Sequence, residues 1–238
     1  SIRERVRGGI GLLRDVGRDA LVGRQPPLHA AYWELATGTR IQNDAAQKEG
    51  EALRHFEKAA LLDTTFLLPR ISATMTRTLY SNSLEQSKTP PDTTFRALAE
   101  IEGRMTSYEA VDFAILRALV RNQQMGVIDA LRRAVANDST TDHARSLPWR
   151  LIGINRPEEA LTILRSLDRR VPSRLRSKPR NANYWAMMTT ANHLLGQHDA
   201  ELLAARGARR QRPSGMGELG YETVALVALD SLALVQAR

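Results

Sequence analysis

The sequence has no cysteine, only 5% aromatic residues and no long uninterrupted apolar run. Without cysteine the protein can form no disulfide, no thiolate nucleophile and no cysteine-ligated metal site, and it suits either redox compartment. No apolar run approaches the roughly 18 residues that indicate a membrane-spanning helix, so none is predicted. The chain starts at Ser1 without methionine or the apolar centre of a signal peptide, and we interpret it as part of a longer protein.

Motifs for catalysis are also missing. No serine stands in a nucleophile elbow, and the glycine-rich stretch at residues 7–11 lacks the strand and helix that flank a phosphate-binding loop. The acidic pair Glu158 and Glu159 falls at the start of a predicted helix, where carboxylates interact favourably with the helix dipole. The sequence therefore predicts a protein that is not an enzyme and that has no cofactor.

The histidines show no metal-binding pattern. None of the five has the His-x-x-x-His or Glu-x-x-His spacing that brings ligands together on one helix. His193 and His198 are five residues apart, which predicts different faces of a helix. We expect no metal site.

Positive charge dominates, with a net charge of +8 and only four lysines among the 34 basic residues. Arginine suits bidentate binding of anions, although a GC-rich genome explains a high arginine content equally well. Basic residues cluster at positions 165–180 and 206–212, which gives an alternative function as an anion- or nucleic-acid-binding module. Its candidate residues are Arg169, Arg170, Arg174, Arg176, Arg209 and Arg210. Nucleic acid is the less expected ligand, because no aromatic residue for base stacking lies between Val171 and Asn183.

Apolar residues recur with the period of an α-helix, and strand-like alternation is nowhere sustained. Ala52, Phe56 and Ala59 stand at i, i+4 and i+7, and the same stripe returns from Val127 and from Ala160. A stripe of small and large residues suits a helix that packs closely against its neighbours. The sequence predicts an all-α protein.

The first predicted helix runs from Ile2 to about Leu21. Its apolar side carries Val6, Ile10, Leu13, Val16 and Leu21, while three glycines at positions 8, 9 and 11 weaken it by about 1 kcal/mol each. A stretch at 23–27 with two prolines ends this helix and predicts a boundary. We therefore divide the chain into an N-terminal helix and linker, 1–28, and a helical repeat domain, 29–238.

Five helical hairpins are predicted after this boundary. They cover residues 30–66, 67–105, 108–137, 146–168 and 184–211, with a long turn at 84–93 and a basic loop at 169–183. In the fourth hairpin Asn155 and Arg156 form the turn and Pro157 takes the first helical position. An apolar helix at about 218–237 follows the last hairpin, and its lack of a polar side indicates a possible homodimer contact.

These patterns resemble the tetratricopeptide repeat (TPR) family. The matching residues are Gly38, Ala52, Phe56 and Ala59 in the first hairpin, and Trp185, Gly196, Ala205, Ala208 and Pro213 in the fifth. The chain departs from the family pattern at Thr64, where proline is usual, and at Glu201, where a small residue is usual. The resemblance implies a right-handed superhelical solenoid of about five helix-turn-helix repeats.

Membership of this family implies binding of a protein or peptide on the concave face, which the first helix of each hairpin lines. The candidate groove residues are Tyr32, Trp33, Arg40, Arg77 and Arg117. The divergent repeats are also similar to the C-terminal regions of large bacterial signalling proteins that carry a serine/threonine kinase, nucleotide cyclase or DNA-binding head. This similarity leaves two locations open, the cytoplasm or the extracytoplasmic part of a membrane-anchored protein.

Overall fold

The computed structural model describes residues 1–44, 48–80, 91–137, 143–167 and 182–211. Within these ranges every regular element is a helix, which confirms the all-α class. The helices are α1 Ile2–Asp15, α2 His29–Asp44, α3 Glu49–Leu62, α4 Leu68–Leu79, α5 Pro91–Glu100, α6 Ser107–Val120, α7 Gln124–Asn137, α8 His143–Gly153, α9 Pro157–Ser166, α10 Ala182–Leu194 and α11 His198–Gln211, with short 3-10 helices at Arg18–Ala20 and Glu102–Arg104. None of these helices has the length and apolarity needed to span a bilayer.

The helices fall into two compact units. In the first unit, α1 packs on α2, α2 pairs with α3, α4 contacts α3, α5 and α6, and α6 pairs with α7. In the second unit, α8 pairs with α9, α10 pairs with α11, and α10 also contacts α8 and α9. The predicted pairing of neighbouring helices is thus observed. The number of repeats, the superhelix and the division at residue 28 stay predictions.

Close packing of the first hairpin depends on small residues. Ala52 and Ala59 are completely buried, and Phe56 is 1% exposed. A Cβ atom at Gly38 would lie 2.7 Å from Cε1 of Phe56 and 3.0 Å from the carbonyl oxygen of Ala52. Only glycine therefore lets α2 approach α3 this closely. The sequence stripe predicted this contact correctly.

The N-terminal helix differs from the prediction in length and in its buried side. It ends at Asp15, and Gly17 with φ 117° starts a different backbone direction. Val6, Ile10 and Leu13, on the expected apolar side, are 46–62% exposed. The side that carries the three glycines is buried instead. Because glycine has no side chain, α1 can approach Pro26 and Pro27, which precede α2, more closely than a helix with side chains could.

Helix ends follow local chemistry. Thr106 caps α6 in a capping box with Glu109, each side chain bonding the backbone amide of the other residue. Asn155 takes a left-handed conformation with φ 58°, and Pro157 begins α9 as predicted. Helix α5 begins at Pro91, so the turn predicted at 84–93 ends earlier than expected. The basic loop up to residue 181 and the helix expected at 218–237 lie outside the described residues.

Candidate functional site

Tyr32, a predicted groove residue, belongs to the core. It is 1% exposed, and its hydroxyl donates a hydrogen bond to the carboxylate of Asp15, which is also buried. Arg14 donates from Nε to Oδ1 of Asp15 at 2.9 Å and from Nη2 to the Tyr32 hydroxyl at 3.3 Å. Burial, followed by the hydrogen bond to Asp15, raises the pKa of Tyr32 to about 12. The contacts of Tyr32 thus join α1 to α2 in the core, and its role as a groove residue stays a prediction.

A cleft of about 310 Å³ opens at the surface beside this cluster. It is lined by Arg7, Ile10, Gly11, Arg14, His29 and Tyr32. The side chain of Arg7 is 51% exposed, and its guanidinium lies 3.9 Å from Glu4, which is at the outer limit of an ion pair. Arg14 is similarly exposed but is already paired with Asp15 at 2.9 Å, so Arg7 is the cation of the cleft that is less engaged by a carboxylate of the protein.

The exposed side of α2 extends this surface. Trp33 is 46% exposed, and its ring centroid lies 6.2 Å from that of His29, which lines the cleft. Arg40 follows seven residues later, on the same side of the helix, and is exposed. Within the described part of the chain Arg40 makes no ion pair. Of the five predicted groove residues, Trp33 and Arg40 are thus the two that offer an accessible side chain on this helix.

The other two predicted groove arginines bind acidic neighbours within the first unit. Arg77 is 9% exposed and forms an ion pair with Glu57 of α3. Arg117 forms an ion pair with Glu102 and lies over the ring of Phe113, 5.1 Å from its centroid. Both arginines join neighbouring helices, because α3 and the 3-10 helix bring a carboxylate to each. Their assignment to a partner site stays a prediction.

The anion-binding candidates are mostly beyond what the structure describes. Arg169, Arg170, Arg174 and Arg176 lie outside the described residues. Arg209 and Arg210 lie at the end of α11, where the backbone is described but the side chains are not. This alternative stays a prediction.

Two histidines that were expected to lie apart are in fact close together. His193 is in the last turn of α10, and His198 begins α11, so they belong to different helices rather than to two faces of one. Gly196, with φ 66°, reverses the chain between them. The Nδ1 atoms of His193 and His198 lie 2.8 and 2.9 Å from the two carboxylate oxygens of Glu201. The hairpin predicted at 184–211 was the signal for this contact, because its turn has to reverse the chain between two helices.

No family model, curated protein or solved structure matches the chain. The TPR resemblance therefore stays an interpretation of the sequence.

Proposed function

We propose that the protein is a non-catalytic TPR-like scaffold that binds a protein or peptide. On this proposal the paired helices are repeats of a right-handed solenoid of about five hairpins, and the chain is the interaction segment of a larger bacterial signalling or regulatory protein. The close contact of Gly38 with Phe56 supports the repeat interpretation, because glycine at this helix crossing is what the family pattern requires. The signalling context rests on the sequence resemblance alone.

One observation carries the binding function, namely the continuous exposed surface of α1 and α2. Three features meet there: the cationic cleft, the exposed ring of Trp33 beside His29, and the exposed apolar side chains of α1. Tryptophan and arginine are the residues that most often dominate binding energy at protein interfaces. Arg7 can bind a carboxylate through two parallel hydrogen bonds, which are stronger than hydrogen bonds between neutral groups. The surface therefore suits a peptide with an acidic residue next to an apolar one.

A selection experiment tests this proposal. The full chain is immobilised and exposed to a library of random 12-residue peptides, and the affinities of enriched peptides are measured by fluorescence anisotropy. We expect enriched peptides to carry Asp or Glu next to apolar residues. Trp33→Ala and Arg7→Ala should each weaken binding by roughly 30-fold, the loss typical of an interface hot spot.

Leu61→Ala is the control. Leu61 is 82% exposed but lies in α3, the second helix of its hairpin, so its removal should leave the affinity unchanged. The proposal fails if no peptide is enriched. It also fails if Trp33→Ala and Arg7→Ala bind the selected peptides as tightly as the parent chain.

The alternative, an anion-binding module, has its own test. Binding of a single-stranded oligonucleotide should weaken steeply between 50 and 200 mM salt if the arginine clusters release counterions. An affinity that does not change with salt, or no binding at low salt, would exclude the anion-binding alternative.

A further inference from the structure

A cluster of three potential metal ligands joins α10 to α11. His193, His198 and Glu201 each present one ligand atom, and these atoms all lie within 4.8 Å of one another. The imidazole centroids are 6.1 Å apart. Glu201 is completely buried, whereas the side chains of His193 and His198 are 59% and 68% exposed. The cluster is thus a buried carboxylate under two accessible imidazoles.

The charge of Glu201 is weakly compensated by its surroundings. Within the described residues its ion-pair partners are the two histidines alone, and a histidine is charged only when protonated. The first turn of α11 contributes a partial positive charge from its free amides. Burying a carboxylate without an opposite charge is unfavourable, and a divalent cation would supply that charge directly.

We propose that His193, His198 and Glu201 bind a divalent transition-metal ion such as Zn²⁺. Histidine nitrogen together with carboxylate oxygen is a donor set that Zn²⁺ takes in proteins. The proposal departs from the sequence-based expectation of no metal site. It is also independent of the peptide-binding surface, which lies in the other unit.

Metal binding requires the ligand atoms to rearrange around one ion. With metal–ligand bonds of about 2.1 Å, neighbouring ligand atoms of a tetrahedral site lie about 3.4 Å apart. The two nitrogen–oxygen distances, 2.8 and 2.9 Å, involve different carboxylate oxygens of Glu201, and the three ligand atoms lie within 4.8 Å of one another. Binding therefore requires the two imidazoles to rotate until their Nδ1 atoms surround one position beside the carboxylate, and their exposure leaves room for this rotation. Each neutral ring then carries its proton on Nε2 and offers the lone pair of Nδ1 to the metal.

Three protein ligands leave the fourth position to solvent on the exposed side of the cluster. Ca²⁺ and Mg²⁺ should bind poorly, because these cations require mainly oxygen ligands and the cluster has one carboxylate. Selectivity for Zn²⁺ over Mg²⁺ is therefore part of the proposal.

The test is a titration of the full, metal-free chain with ZnCl₂ in competition with a chromogenic chelator. We expect one Zn²⁺ per chain. His193→Gln and His198→Gln should each lower the affinity by at least about 10-fold, since even the loss of a residue that only supports a ligand costs 10- to 100-fold. Glutamine keeps a hydrogen-bond donor for Glu201, and both positions are exposed, so these variants should fold. Glu201→Gln is less informative, because that side chain is buried.

His29→Gln is the matched control, a histidine of the other unit that should not change the affinity. MgCl₂ at the same concentration should not displace Zn²⁺. The proposal is overturned if the parent chain shows no saturable Zn²⁺ binding, or if both cluster variants bind Zn²⁺ as tightly as the parent chain does.

Discussion

The substitution Gly8→Ala sets helix propensity against packing. Gly8 lies in the middle of α1 on its buried side. A Cβ atom at this position would overlap the carbonyl oxygen of Pro27 and would lie 3.0 Å from the carbonyl carbon of Pro27. It would also lie 3.1 Å from the amide nitrogen of His29. These are backbone atoms, which cannot rotate away as a flexible side chain can. The substitution therefore forces α1 to move away from the segment that leads into α2.

The higher helix propensity of alanine and the overpacking by its Cβ atom change the stability in opposite directions. Alanine stabilises a helix interior by about 1 kcal/mol relative to glycine. Overpacking of a well-packed site costs typically 1–3 kcal/mol, and the upper end applies here because backbone is displaced. We expect a net loss of about 1–2 kcal/mol in the free energy of unfolding of the first unit.

Hydrogen exchange measured by mass spectrometry on peptides from α1 and α2 gives the stability of this unit separately from that of the second. Gly103→Ala is the control, because a Cβ atom at that position meets no atom within 4 Å. It should leave exchange unchanged or slightly slower. If Gly8→Ala instead slows exchange in α1, helix propensity outweighs packing and the close contact with Pro27 is refuted.

Three further predictions concern polar groups in the first unit. Tyr32→Phe should cost about 1.5–3 kcal/mol, because the buried carboxylate of Asp15 loses a hydrogen bond. The pKa of Tyr32 is about 12 in the folded state and about 10 in the unfolded chain, so this stabilisation is complete below pH 10 and is lost between pH 10 and 12. Urea titrations should show that loss in the parent chain and not in Tyr32→Phe. Burial alone would raise the pKa of Asp63, but hydrogen bonds from Thr65 and the Leu28 amide and the charge of Arg5 outweigh it and lower the pKa. Asp63→Asn should therefore destabilise the unit by about 1–3 kcal/mol at pH 7, a difference that shrinks as the pH falls below about 4; equal stability at pH 7 would contradict it. Removal of the α6 cap in Thr106→Ala should cost about 1 kcal/mol in thermal unfolding followed by circular dichroism, and no change would exclude the capping box as a stabilising contact.

Local sequence was sufficient for the helices and their pairing. The 3.6-residue period identifies a helix without knowledge of its neighbours, and residues such as Asn155 and Pro157 mark where the chain turns. The stripe of Ala52, Phe56 and Ala59 also identified the buried side of α3, because small residues at helical spacing indicate a side that packs closely against another helix. These features depend on residues within a few positions of one another.

The sequence predicted on which helix each candidate site residue lies, but not which residues surround it. The exposed Trp33 and Arg40 are where the sequence pattern placed them, on one side of the first helix of a hairpin. Arg77 and Arg117 stand at comparable positions but pair with Glu57 and Glu102. Helix periodicity says which side a residue takes, but not which charged residue of another helix lies opposite.

The sequence by itself determined that this chain is helical, where most of its helices lie and which neighbours pair. The tertiary structure alone decided that the glycine side of α1 is buried, that Tyr32 is a core residue, and that His193 and His198 meet at Glu201. The physical reason is that helix formation depends on short-range geometry. Burial and the meeting of side chains depend on how closely helices approach and at what angle, and these are set by contacts between residues distant in sequence or separated by a turn.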